Sequence, residues 1–137
     1  MSDESFESLM RAAVEENEWR FGAEARRRYG DSAVDASNRR FMGMSEQECR
    51  YWQKLGEQIV EELTEAVRRG YHPSSETGAR ICELHREWLG FTWPSYTPEA
   101  HRGLAEMYVA DDRFRSYYDR ELPGCAQWLH DAIVAHT

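Results

Sequence analysis

Cys82 and His85 stand three residues apart, a spacing that places two metal-ligating side chains on one face of a helix. No second close pair of His or Cys follows, so the two are read as a buried thiol and a core histidine, and no metal site is assigned. A haem reading for His85 is set aside on the same ground: a lone histidine in a helical chain is more often a hydrogen-bonded core residue. The sequence holds no Gly-rich phosphate loop, no G-x-S-x-G and no H-E-x-x-H. It is therefore read as a non-enzyme without a cofactor. Two carboxylate runs, Glu15, Glu16, Glu18 and Glu61, Glu62, Glu65, read as solvated helix faces, and Arg26, Arg27 and Arg28 read as partners of local acids.

One segment stands apart. Trp88, Phe91, Trp93 and Tyr96 crowd around Gly90 and Pro94 within nine residues. Glycine and proline interrupt the helix, so the four rings cannot all face one helical stripe. Either they plug the core at a helix corner, or they wall a cleft suited to large, planar, weakly charged ligands that stack on aromatic faces.

The elements that must position these residues are helical, since no useful stretch alternates with period two. Phe6, Leu9, Met10 and Ala13 predict one face of a helix starting near Ser2 or Asp3. Gly22 predicts a joint before a short helix over 23–29, and Gly30 its stop. Asp31 or Ser32 is the expected cap of the next, which runs to about Arg39 or Arg40. Ser45 with Glu48 forms a capping-box pattern ahead of Trp52, Leu55, Ile59, Leu63 and Ala66 or Val67, with a stop at Gly70. A helix over 75–89 carries Ile81, Leu84 or His85, and Trp88. Thr97, Pro98 and Glu99 read as N-cap, first-turn proline and first-turn acid of a helix bearing Leu104, Met107 and Tyr108. Asp111 or Asp112 starts a short helix through Tyr118. Pro123 is the expected first position of the last helix, with Cys125 or Ala126, Leu129, Ala132 and Ile133 inward. The expected class is all-α, about seven helices in globin-like packing, as a single domain.

The chain has 137 residues, 41% of them apolar and 12% aromatic, which suits one packed core. With 17 basic and 25 acidic residues the net charge is −8, which disfavours nucleic acid and anionic membranes as partners. No apolar run reaches the ~20 residues of a membrane span, and the acidic start Met1-Ser2-Asp3-Glu4 is unlike a secretory signal. A cytoplasmic location with reduced Cys49, Cys82 and Cys125 is expected. Residues 1–40 hold 16 charged side chains and nine large apolar ones, so they are expected to form a lid ordered by a partner surface, with 41–137 as the ligand-binding core.

The run Thr97-Pro98-Glu99-Ala100-His101-Arg102-Gly103-Leu104-Ala105-Glu106-Met107-Tyr108 resembles the signature of the TipAS antibiotic-recognition domain, the ligand-binding part of MerR-type, TipA-like transcription activators. Val109-Ala110-Asp111-Asp112-Arg113-Phe114, Tyr118-Asp119, Pro123-Gly124, His85-Arg86-x-Trp88 and Arg28-Tyr29-Gly30-Asp31 continue the likeness, which extends from about Trp19 to the C-terminus. The resemblance implies a globin-like helical domain whose cleft, between N-terminal helices and later core, takes an azole-rich macrocyclic antibiotic such as a thiopeptide. It also implies an N-terminal part that orders on binding. The winged helix and dimerising helix of the activators have no counterpart here, so a stand-alone binder that sequesters or senses drug is expected. Members that bind thiopeptides carry a cysteine just before the Pro-Glu run, able to add to a dehydroalanine. Here that position is Tyr96, whose phenol, with an ordinary pKa near ~10, is a poor conjugate-addition nucleophile.

On this reading the ligand-binding candidates are Trp88, Phe91, Trp93, Tyr96 and Tyr108, then Met107 and Trp52, with His101 as a donor to a ligand carbonyl. The expected partner is a small-molecule or macrocyclic peptide antibiotic. The alternative is an interaction module whose aromatic patch docks on a separately encoded transcription regulator or pairs in a weak homodimer.

Overall fold

The structure is a computed structural model and describes residues 3–137, with side-chain placement from Phe6 onward. Ser2, one of the two expected helix starts, lies outside the described residues. The described elements are α1 (Asp3–Asn17), a π-helical turn (Glu18–Gly22), α2 (Ala23–Tyr29), α3 (Asp31–Met42), α4 (Glu46–Arg69), α5 (Glu76–Gly90), α6 (Pro98–Ala110), α7 (Asp112–Tyr118) and α8 (Cys125–His136). Because Asn17, Gly22 and Ala23 all keep right-handed helical angles, α1, the π turn and α2 form one unbroken path. Counted that way there are seven helical runs and no strand among the described residues, as the periodicity predicts.

Gly22 is thus not a joint. A Cβ there would run into the Glu18 carboxylate, which crosses its Cα on the way to Arg26. The wider π turn and the glycine together admit that crossing. Arg26 then ties three elements, with Nε 3.3 Å from Glu18, Nη1 3.1 Å from Asp31 and Nη2 2.8 Å from Asp35. Its guanidinium is held above the ordinary arginine value, by the Glu18 hydrogen bond first, then those of Asp35 and Asp31. This overturns the expected cap of α3. Gly30 occupies the cap position with no side-chain bond, because Asp31 is turned toward Arg26.

The chain divides into two units. The first comprises Met1–Trp52 and Gly90–Ser95. Its core is small, with Met10, Met44 and Cys49 buried and Phe6, Phe41, Met42, Trp52 and Phe91 packed against them. Leu9 is 55% exposed and Ala13 is also exposed, against expectation, so the inward stripe of α1 is Phe6 and Met10, four residues apart. No residue of α2 or α3 is buried.

The second unit comprises Gln53–Leu89 and Tyr96–Thr137. Leu55, Ile59, Leu63 and Ala66 form the buried stripe of α4, and Cys125, Leu129, Ala132 and Ile133 that of α8. The main packing is α6 against α8, with α7 against both. The Trp128 indole N–H donates to the Tyr71 carbonyl at 2.8 Å, and His136 Nε2 donates to that of Pro73 at 3.1 Å, which fixes the turn before α5. The Ser45 and Glu48 capping box forms at 3.1 and 3.2 Å. Pro123 is not in α8, which begins at Cys125, and the Asp119 carboxylate accepts from the Ala126 amide at 2.8 Å instead. No described helix is long and apolar enough to cross a membrane.

Candidate functional site

Thr97 accepts the Ala100 amide at 3.0 Å and Pro98 opens α6, so the chain turns sharply after Tyr96 and places His101 one helical turn beyond it. The Tyr96 hydroxyl lies 2.8 Å from His101 Nδ1. His101 Nε2 lies 2.8 Å from Nδ1 of His85 on α5, and His85 Nε2 lies 3.1 Å from the Tyr108 hydroxyl. The Tyr108 ring packs against that of Tyr118 of α7, their centroids 4.7 Å apart. One polar chain therefore runs through an apolar interior from a partly exposed phenol to a buried one.

Both imidazoles are fully buried and nearly parallel, 7° between planes. Burial, then His101, lowers His85 from 6.5 to about 3, and burial, then Arg86, lowers His101 to about 4. The pair is neutral near pH 7. Burial pushes the Tyr96 phenol up, and Arg86, whose guanidinium sits 4.4 Å above the Tyr96 ring, pulls the other way. Both ring nitrogens of His85 are engaged, and burial raises the Cys82 thiol to about 11, so neither side chain of that spaced pair is set up to bind a metal.

The expected site residues fall on both units. In the second, Trp88 and Tyr96 are partly exposed, while His101, Met107 and Tyr108 are buried. The Trp88 indole lies over Gly56, where an added Cβ would stand 3.2 Å from Nε1, so the glycine admits the ring. In the first, Phe91 and Trp93 are partly exposed, Phe91 lying 5.7 Å from Tyr51, and Trp52 packs edge-on to Phe41 at 5.5 Å. The pairing of His85 with His101 is what sequence reasoning missed. Its signal was a histidine on the apolar face of each of two helices that follow one another in the chain.

The TipAS antibiotic-recognition domain model matches residues 21–136. The chain belongs to that family. Among curated relatives, it is 31% identical over 121 residues to the HTH-type transcriptional activator TipA of Streptomyces coelicolor, covering 83% of this chain and 46% of that protein. It is 28% identical over 119 residues to the HTH-type transcriptional regulator SkgA of Caulobacter vibrioides, covering 84% and 44%. With the activator mta of Bacillus subtilis it shares 23% identity, over 96% and 50%. The domain thus spans about half the length of these relatives. It also resembles the solved structure of TipAS from Streptomyces lividans in complex with nosiheptide, with a TM-score of 0.73 and 26% identity, covering 87% of this chain and 84% of that one.

Proposed function

We propose that this TipAS domain binds a bulky, azole-rich or aromatic antibiotic of the thiopeptide class, reversibly and without chemical turnover, and that it serves to sequester or sense the drug. The observation that carries this reading is its likeness, over 87% of the chain, to a TipAS captured with nosiheptide. The partly exposed rings support it, since stacking and apolar burial are what a flat azole macrocycle demands. Trp88 and Tyr96 within the second unit, and Phe91, Trp93 and Trp52 within the first, are each taken by themselves as proposed ligand contacts. His101, Met107 and Tyr108 are buried and act from behind the contact surface. Residues 1–40 are proposed to gain order with ligand, in keeping with the absence of buried residues in α2 and α3.

Titration with nosiheptide, read by tryptophan fluorescence, tests this. Saturable change is expected, with Trp93→Ala weakening binding at little cost in melting temperature. A Trp93→Ala protein that fails to fold, alongside unchanged affinity for Trp88→Ala, would assign these rings to the core instead. Hydrogen exchange over residues 6–40 should slow on binding, and equal protection with and without drug would remove the lid.

A further inference from the structure

The polar chain from Tyr96 to Tyr108 lies wholly within the second unit, and its hydrogen count allows it only two directions. Each neutral imidazole carries one N–H, and between His85 Nδ1 and His101 Nε2, 2.8 Å apart, one nitrogen donates and the other accepts. Both rings therefore hold the same tautomer. With Nδ1–H on both, the protons point from Tyr108 toward Tyr96, and with Nε2–H on both they point from Tyr96 toward Tyr108. Either way, the chain ends in an outward O–H at one phenol and an outward lone pair at the other.

Solvent access decides which end is which. Tyr108 is 2% exposed, whereas Tyr96 is partly exposed. A buried donor that lacks an acceptor costs its full desolvation, while a buried oxygen with a lone pair left over is the milder and commoner defect. The outward O–H therefore belongs at the open end and the outward lone pair at the closed one. In this direction the Tyr108 hydroxyl donates to His85 Nε2 at 3.1 Å, His85 Nδ1–H to His101 Nε2, and His101 Nδ1–H to the Tyr96 oxygen at 2.8 Å. The Arg86 guanidinium, 4.4 Å above the Tyr96 ring, sets a positive charge on the face of that phenol and strengthens its O–H as a donor. Resting on the binding reading above, we infer that Tyr96 meets its ligand as a hydrogen-bond donor, and that His101, backed by His85 and Tyr108, is a positioning residue that engages the phenol oxygen from within and turns its proton outward. The ligand chemistry this selects is an acceptor, an azole ring nitrogen or an amide carbonyl, over an N–H group. The donor that the sequence places at His101 is thus delivered through Tyr96, since His101 itself is buried.

The tautomers are read by 15N-edited NMR of the imidazoles in the free native protein, with no ligand and no variant needed. Both His85 and His101 are expected as Nδ1–H. Nε2–H on either ring, or a cationic ring near pH 7, would overturn the inference. Tyr108→Phe leaves His85 Nε2 with only an idle lone pair, so both rings should keep Nδ1–H there, and a swap to Nε2–H would contradict the direction. The donor role is read with nosiheptide as probe. Tyr96→Phe should lower affinity about 2- to 10-fold. Placing 3-fluorotyrosine at position 96 makes the phenol more acidic, which strengthens a donor and weakens an acceptor. At about pH 6, where that phenol stays protonated, it should bind nosiheptide more tightly than the native chain. Unchanged or weaker binding would overturn the assignment of Tyr96 as donor. Failure of the native chain to bind nosiheptide would overturn the binding reading, while the tautomers still decide the direction of the chain.

Discussion

His85 Nδ1 and His101 Nε2 face each other at 2.8 Å with no solvent on either ring, and the phenols of Tyr108 and Tyr96 close the two outer ends. Polar groups buried at this depth are tolerated because each finds a partner, and the pairing binds α5 to α6 through directional contacts that an apolar core lacks.

The same pair makes the fold acid-sensitive. Both folded-state values lie below 6.5, at about 3 and about 4, so the unfolded chain takes up protons from about pH 6.5 downward while the fold excludes them. Stability rises with pH wherever the unfolded state binds more protons, so it falls as pH drops from about 6.5 toward 4. His130 acts in the opposite sense. Burial lowers it, but the hydrogen bonds it donates to Glu106 and Asp131 outweigh that and raise it, so its contribution is full below 6.5 and fades as pH rises through its raised value. Denaturant unfolding of His130→Gln from pH 7 to 5 should show a steady loss of stability. A flat profile would contradict neutral burial of the pair.

Ser45 and Glu48 each satisfy the other's backbone amide, at 3.1 and 3.2 Å. Ser45→Ala should cost about 1 kcal/mol in denaturant unfolding. Because the two bonds are reciprocal, Ser45→Ala with Glu48→Ala should cost less than the sum of the singles. Strict additivity would show that the box is not coupled.

Leu63 is fully buried and Leu9 is 55% exposed. Leu63→Ala should therefore cost about 2–5 kcal/mol, and Leu9→Ala less than about 0.5 kcal/mol. Comparable losses at the two sites would mean that Leu9 packs inward.

The contrast between these leucines marks what was legible in the sequence. In α4, a stripe of Leu55, Ile59 and Leu63 at four-residue spacing has one low-energy solution, and the capping box and Thr97 cap follow from side chains acting within three residues of themselves. In α1, few apolar side chains compete for one face, and the choice of Met10 over Leu9 is made by Met44 and Cys49, far along the chain. Gly22, Asp31 and Pro123 depart from the local pattern for a related reason. Arg26 claims Glu18 and Asp31 from different helices, and Asp119 caps α8 from seven residues away. The aromatic run was visible as a site, but the buried histidine pair behind Tyr96 arises only when α5 and α6 pack.

Position 96 also sets the chemistry of capture. Burial raises the thiols of Cys49, Cys82 and Cys125, all three enclosed, so none is a ready nucleophile. Intact-mass spectra after incubation with a dehydroalanine-containing thiopeptide should show unmodified native protein. Tyr96→Cys should give a one-to-one adduct, since a thiol of ordinary pKa ~8.5 supplies some thiolate near neutrality. An adduct mapped to a native cysteine would contradict reversible binding.

Recognition of a thiopeptide by the folded domain is tested most directly by thermal denaturation with and without nosiheptide. A ligand that binds only the folded chain, at 100 times its dissociation constant, stabilises by about 2.7 kcal/mol. For a domain of this size that is an upward shift of the melting temperature by roughly 10 °C, saturating with dose. An unchanged melting temperature up to the solubility limit of the drug would contradict the account.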